Sequence, residues 1–357
     1  LEDSQMGPSL AIPAVENRYA AGIGVSQPLY TGGRISGRKR MTDARRQGAE
    51  SELRARKSDV IHQTLIAYWS WSKAYYAADS FRAAVQWMEA QEADIRHLYQ
   101  AGLATESDAL STSVRLDQTR LKFEQAQRHV QLTRAMLERL TGQGLPATAM
   151  PQPADIPAAP APDSAQGWIG NALTNRDDLQ ALQFDWSAVQ KNIAIQSAGY
   201  YPQLSANAHY EIGRPNQLDI PPEDKWNDDA SVGISASWNL LDWGLTRAKV
   251  AEARSRANQT MHAVQQMNDQ IVYEVRQALI DLENALTRLR VAQRAVTSAD
   301  LDLKATTDLW KNGMARHSDV LDAQSLLTEA RFEEISAAGD TALARTELDH
   351  AAGTLDR

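Results

Sequence analysis

The 357-residue chain has no cysteine, so it carries no thiol for a disulfide or a metal site, and it suits an oxidising periplasm. It also lacks any run of eighteen apolar residues, and its mean hydropathy is -0.46. No helix can therefore span a bilayer, and any membrane segment must be β. Basic charge is not in surplus: 37 Lys and Arg stand against 45 Asp and Glu, for a net charge of -8. Bases are interspersed with acids along the chain, which argues against a nucleic-acid surface. One basic cluster stands out, Arg34, Arg38, Lys39, Arg40, Arg45 and Arg46, and it reads as a solvated helix face or a contact with anionic headgroups rather than a polyanion site. The seven histidines, His62, His97, His129, His209, His262, His317 and His350, are scattered without metal-ligand spacing. Gly22-x-Gly24 lies in a strand pattern and lacks the rest of a dinucleotide fingerprint. Enzyme chemistry, cofactor and metal are all unsupported.

What is present is a repeat at an offset of 211 residues. Leu98-Tyr99-Gln100-Ala101-Gly102-Leu103-Ala104 returns as Leu309-Trp310-Lys311-Asn312-Gly313-Met314-Ala315. The register holds through Ser107-Asp108-Ala109-Leu110 against Ser318-Asp319-Val320-Leu321, and through Gly33 against Gly244 and Gly142 against Gly353. Such fidelity suits two long helices joined by a short turn, because one inserted residue rotates everything downstream by about 100°.

Proline is absent from Ile35 to Leu98 and from Thr246 to Trp310, and each stretch predicts a helix on the order of 95 Å long. Ile271, Val275, Ala278, Leu282, Ala285, Leu289, Ala292, Val296, Ala299 and Leu303 step by four and three as a heptad seam. The first copy answers with Val60, Thr64, Ala67, Trp71, Ala74, Ala78, Phe81, Val85 and Met88, a seam that stops at Glu92. Extra apolar positions at Val272, Leu279 and Leu286 predict packing on more than one side, as in a tube.

Each copy opens on period-two alternation: Tyr19, Ala21, Ile23 and Val25 in the first, and Val232, Ile234, Ala236, Trp238 and Leu240 in the second, with Leu204, Ala206, Ala208, Tyr210 and Ile212 just upstream. Strands of about ten residues, apolar on one face and small and polar on the other, fit a transmembrane barrel with a wet lumen; a half-buried soluble hairpin is the other reading. The polar stretch Gly213 to Asp229 reads as a long outward loop, and Leu1 to Asn17 as a second one.

The layout is then a first repeat over residues 1–142 (strand about 18–29, long helix 35–98, return helix 107–140), a Pro-rich connector over 143–163, and a second repeat over 164–357. The second repeat holds a helix over about 164–198, strands over 203–212 and 230–240, a long helix over 246–310 and a return helix over 318–352. By the offset, the first copy's matching helix and strand fall before Leu1, so roughly fifty residues or more, with any signal peptide, are expected upstream. The fold class is mostly α with transmembrane β.

In this order the elements resemble the TolC family of bacterial outer-membrane channel proteins. The marks are Tyr201-Pro202-Gln203-Leu204 at the helix-to-strand passage, Leu29-Tyr30-Thr31-Gly32-Gly33 and Leu240-Leu241-Asp242-Trp243-Gly244 at the strand-to-helix passages, and the two glycine turns followed by Ser-Asp-x-Leu. The resemblance implies a homotrimer with a twelve-stranded barrel in the outer membrane, continued by a helical tunnel across the periplasm. It would be the passive exit duct of a tripartite efflux pump or type I secretion system. Its partners would be a periplasmic adaptor docking around Gly102, Leu103, Gly313 and Met314, an inner-membrane pump, and outer-membrane lipid. The family's pore-end residues fall on Asp108, Trp310, Asp319 and Asp322, and Ala315 stands where a family member has arginine. Arg316 beside it points about 100° away on a helix. Asp108 and Asp319 also suit a helix N-cap or the first turn of a helix, which Ser107 and Ser318 suggest as well. If Asp319 and Asp322 of three subunits faced one axis, six carboxylates would form a cation-favouring ring. The competing class is a coiled-coil adaptor or scaffold without a barrel; Tyr19, Tyr210 and Trp238, whose rings suit a membrane interface, argue against it.

Overall fold

A computed structural model describes residues 17–153, 165–216 and 224–355. The elements run β1 (Tyr19–Tyr30), α1 (Arg34–Gln100), α2 (Glu106–Thr141), α3 (Ala165–Asn175), α4 (Asp177–Ser197), β2 (Gln203–Arg214), β3 (Asn227–Ser237), α5 (Leu245–Lys311) and α6 (His317–Ala351). The expected loop over Leu1 to Asn17 lies almost wholly outside the described residues, as does residues 154–163 of the connector. The chain divides into two compact units, one built from the described residues up to Gly48 with Leu182–Ala263, the other from Ala49–Ala181 and Val264 onward.

The first unit holds an antiparallel sheet in the order β1-β2-β3. Opposite residues share a face, so the register decides what each face carries. Ile23 pairs Tyr210, Val25 pairs Ala208, and Ala208 pairs Val232, which gathers the apolar side chains on one side. On the other side Ser26 donates to Asn207 Oδ1 at 2.7 Å, Asn207 donates to Ser235 Oγ at 3.0 Å, and Ser205 and Ser235 lie 2.8 Å apart. The apolar side is open: Val232 is 86% exposed and Ile234 76%.

Three expectations shift here. The polar connection between β2 and β3 is shorter than Gly213 to Asp229, because pairing runs out to Gly213 and Asn227. β3 ends at Ser237 rather than Leu240; Trp238 turns its indole N–H onto the Tyr200 carbonyl at 3.2 Å instead of continuing the ladder. The single helix over 164–198 is two, broken at Arg176. The Arg176 guanidinium grips both carboxylate oxygens of Asp178, at 3.1 and 2.6 Å, and residues two apart do not face each other on an unbroken helix.

The second unit is built on the predicted seam. Ile271, Val275, Ala278 and Leu282 of α5 are buried against Ala172 and Leu179 of α3 and α4 and Leu348 and Ala351 of α6. In the first repeat Ala67, Trp71, Ala74, Ala78, Val85 and Met88 are buried, Val60 is exposed, and the buried line resumes past Glu92 at Ile95. α1 runs antiparallel beside α6. Phe81 meets Phe332 with centroids 5.6 Å apart, Lys73 pairs Asp340 at 2.8 Å, and a Cβ at Gly339 would fall 2.8 Å from Lys73 Cδ.

Candidate functional site

Two turns close the helical hairpins, and they are copies. Gly102 and Gly313 both take φ +72°, the left-handed region that glycine enters freely. In the first, Gly102 N–H donates to Tyr99 and Leu103 N–H to Leu98; in the second, Gly313 N–H donates to Trp310 and Met314 N–H to Leu309, at 2.9 and 2.8 Å in each case. Leu103 and Met314 project 76% and 68% exposed at the tips.

The helices leaving these turns begin on their aspartates. Thr105 caps α2: its Oγ1 accepts from Asp108 N at 3.1 Å, while Asp108 Oδ2 accepts from Thr105 N at 3.1 Å and from Thr105 Oγ1 at 2.6 Å. In α6 the Asp319 carboxylate accepts from Arg316 N at 3.0 Å. The caps are thus built with Thr105 and Arg316 at the cap position, and Asp108 and Asp319 are first-turn acids rather than N-caps. The Thr105 hydroxyl first, then the Thr105 N–H and His317, hold the Asp108 carboxyl below the usual range, against the opposing effect of partial burial.

α2 and α6 meet just behind the caps. His317, 5% exposed, sets Nε2 3.0 Å from Thr112 Oγ1, and the Trp310 ring packs on its imidazole at 5.1 Å. The Thr112 hydroxyl proton is taken by the Asp108 carbonyl at 2.7 Å, which assigns Nε2 of His317 as the donor to Thr112. Nδ1 is then a bare acceptor, buried and without a hydrogen-bond partner among the described residues. Burial pushes the imidazole pKa down, with Asp108 opposing, so the neutral ring is the resident form. About one turn further along α2, Arg115 Nη2 donates to Asp322 Oδ1 at 2.7 Å. Asp108 and Trp310 therefore gather around His317, Asp322 pairs separately with Arg115, and Asp319 stands exposed on its own cap.

His317, Thr112 and Arg115 had no motif to mark them. Nor had His62 and His350, scattered by sequence but stacked in the fold at 4.0 Å. His62 Nε2 lies 3.1 Å from Glu347, and His350 Nε2 lies 3.3 Å from Asp59, each ring reaching a carboxylate on the opposite helix. Burial, then His62, lowers the His350 pKa, and Arg176 lowers it further, while Asp59 opposes. No group of three or more His, Cys, Asp or Glu among the described residues is placed to hold a metal ion.

At the other end of the long helices the two strand-to-helix passages are also copies. Gly32 and Gly33 take φ +61° and +86°, and Trp243 and Gly244 take +53° and +84°. Gly32 has no room for a side chain, since a Cβ there would sit 2.9 Å from both the Ala198 carbonyl and Tyr201 Cβ. Pro202 follows Tyr201 where the chain straightens into β2.

Residues 13–143 and 168–354 match the family described as outer membrane efflux protein. The chain is 23% identical over 345 residues to the outer membrane protein TolC of Vibrio cholerae, covering 96% of this chain and 78% of that protein. It is 24% identical over 347 residues to the alkaline protease secretion protein AprF of Pseudomonas aeruginosa, covering 95% and 70%. Among solved structures, the outer membrane protein VceC of Vibrio cholerae superposes with a TM-score of 0.77 at 17% identity, over 94% of this chain and 87% of that one, a likeness of fold.

Proposed function

The chain belongs to the outer membrane efflux protein family, and from that premise we propose how its residues build and close the channel. It is an outer-membrane exit duct of the kind that serves tripartite efflux and secretion systems, extending into the periplasm. The observation that supports membrane insertion most directly is the polarity of the β1-β2-β3 sheet. A hydrogen-bonded ladder of Ser26, Asn207, Ser205 and Ser235 covers one face, while Ile23, Val232 and Ile234 stand uncovered on the other. In water such a face is a liability; in lipid it is the required surface.

Among the described residues the three strands form an open sheet, and an open edge is not tolerated in hydrocarbon. Three copies closing one barrel, as a homotrimer, resolve both problems. The turns at Gly102-Leu103 and Gly313-Met314 are the surfaces offered to a periplasmic adaptor, with their exposed Leu103 and Met314 as the apolar contacts. The chain does no chemistry of its own; energy comes from the inner-membrane pump, which also selects the cargo.

The pore end is held by contacts between the two repeats. With alanine at 315, the interhelix ion pair comes from the other hairpin, as Arg115 to Asp322, backed by Thr112 to His317. Because Asp322 already has an intrachain cation, Asp319, which bonds only the Arg316 N–H and the Ser318 hydroxyl, is the aspartate of this turn without an ion-pair partner among the described residues, and a trimer presents three of these rather than six. Alkaline carbonate extraction of outer membranes tests the insertion directly. Retention of full-length protein in the pellet as a crosslinkable trimer is the expected result, and release into the supernatant would overturn it.

A further inference from the structure

The basic cluster at the start of α1 takes on a sharper meaning once its surroundings are known. α1 carries Arg34, Arg38, Lys39 and Arg40 before its first acid, Asp43, and α5 carries Arg247 and Lys249 before Glu252. Neither helix has an acidic residue in its first turn, although the helix dipole favours acids there and disfavours cations. Arg38, Lys39, Arg40, Arg247 and Lys249 are all exposed, and none has a carboxylate partner among the described residues. Arg34 donates to Gln203 Oε1 at 2.9 Å, and beyond it positive charge is concentrated where the fold does not use it.

The duplication shows which positions matter. Arg38 and Lys249 are equivalent at the 211-residue offset, so both repeats place a cation five residues past the glycine that ends the passage, Gly33 or Gly244. That is about 7.5 Å down the helix, within the depth of a headgroup layer beside the hydrocarbon. Side chains on a helix lean toward its N-terminus, here toward the sheet, so these cations reach back to the membrane edge.

A second observation comes from Trp243. It occupies the left-handed position that is Gly32 in the other repeat, at φ +53°, which is an outlier for a bulky residue. Packing does not hold it there, since the side chain is 90% exposed. Trp238, Tyr30, Tyr200 and Tyr201 are exposed at the same end of the sheet. Exposed rings with cations just beyond them are the pattern of a membrane–water interface.

We propose that the first turns of α1 and α5 form a belt that binds the headgroups of anionic phospholipids on the periplasmic side of the outer membrane, with Arg38 and Lys249 as the paired cationic contacts and Trp243 as the interfacial anchor. The inference rests on the barrel reading above. It commits to lipid, because a phosphodiester fixed at the membrane edge meets ring and cation together.

The test is lipid selectivity of the full-length trimer in phosphatidylcholine bilayers, read by electron paramagnetic resonance with spin-labelled phosphatidylglycerol and, separately, spin-labelled phosphatidylcholine. The wild type should hold phosphatidylglycerol several-fold more strongly at low salt. Arg38→Gln with Lys249→Gln should bring the ratio close to one, since each cation near an anionic surface is worth about fivefold. Arg128→Gln with Arg290→Gln, far along the helices, should keep it. Trp243→Gly, which relieves the backbone and so spares folding, should lower the ratio with the trimer intact. Motionally restricted lipid without any phosphatidylglycerol preference, or an equal preference in wild type and the Arg38/Lys249 variant, overturns the belt alone. Absence of restricted lipid with both labels overturns the barrel reading and the belt with it.

Discussion

Arg115 of α2 donates to Asp322 of α6 at 2.7 Å, an ion pair that joins the first repeat to the second close behind the tips of the hairpins. Both side chains are substantially exposed, at 43% and 66%, so the pair contributes about 0.2–1 kcal/mol to stability. Its importance lies in position. A conformational equilibrium shifted by 1 kcal/mol changes the open-to-closed ratio about fivefold.

Arg115→Ala should therefore leave thermal unfolding nearly unchanged and raise resting single-channel conductance or open time. Charge reversal, Arg115→Asp with Asp322→Arg, should return both toward wild type. If the single variant conducts as wild type does, the pair does not hold the end closed.

Acid should loosen the same contact through His317. Its pKa is lowered in the folded chain, so the neutral ring's contribution is fully present above the ordinary imidazole value near 6.5 and is lost as pH falls below it. Protonation places a charge on a buried Nδ1 with no acceptor among the described residues. Asp108 is held below the usual carboxylate range and stays ionised through this window. Conductance measured between pH 7 and pH 5 should rise in the wild type and stay flat in His317→Phe; parallel profiles would assign the acid response elsewhere.

Asp319→Ala should reduce cation preference, read as a reversal-potential shift under a salt gradient, because this carboxylate bonds only backbone and hydroxyl groups at the helix start. Asp322→Ala should act mainly by freeing Arg115, raising conductance while adding uncompensated positive charge. An unaltered reversal potential in the Asp319→Ala, Asp322→Ala double variant would remove both residues from the conduction path.

Glycine substitutions separate tight passages from loose turns. Gly32→Ala meets the Ala198 carbonyl at 2.9 Å as well as a left-handed φ and should block trimer assembly. Gly102→Ala has the same φ problem with nothing within 4 Å, and should cost about 1–2 kcal/mol by chemical denaturation. Equal effects would contradict the close approach at Gly32.

Much of the fold was legible because its signals are local. The glycine turns are six-residue hydrogen-bond patterns, the seam on α5 is a strict four-three spacing, and the strands alternate; each can be seen within a short window and then checked against its copy. The break at Arg176 was not legible, since it depends on the guanidinium gripping Asp178 and on Glu274, which lies on α5. The tip network was hidden for the same reason. Thr112 and His317 are 205 residues apart, Arg115 and Asp322 are 207 apart, and no periodicity connects them. Trp243 had left a trace: the offset sets a tryptophan against Gly32, which already marks a position where conformation and side chain disagree.

The central claim is that this chain forms a channel whose periplasmic end is closed at rest. It is tested most directly by single-channel recording in planar bilayers with full-length protein purified from outer membranes and shown by crosslinking to be trimeric. The account predicts stable, low-conductance steps that grow when Arg115 is replaced by alanine. A correctly exported protein that neither inserts nor conducts would contradict it.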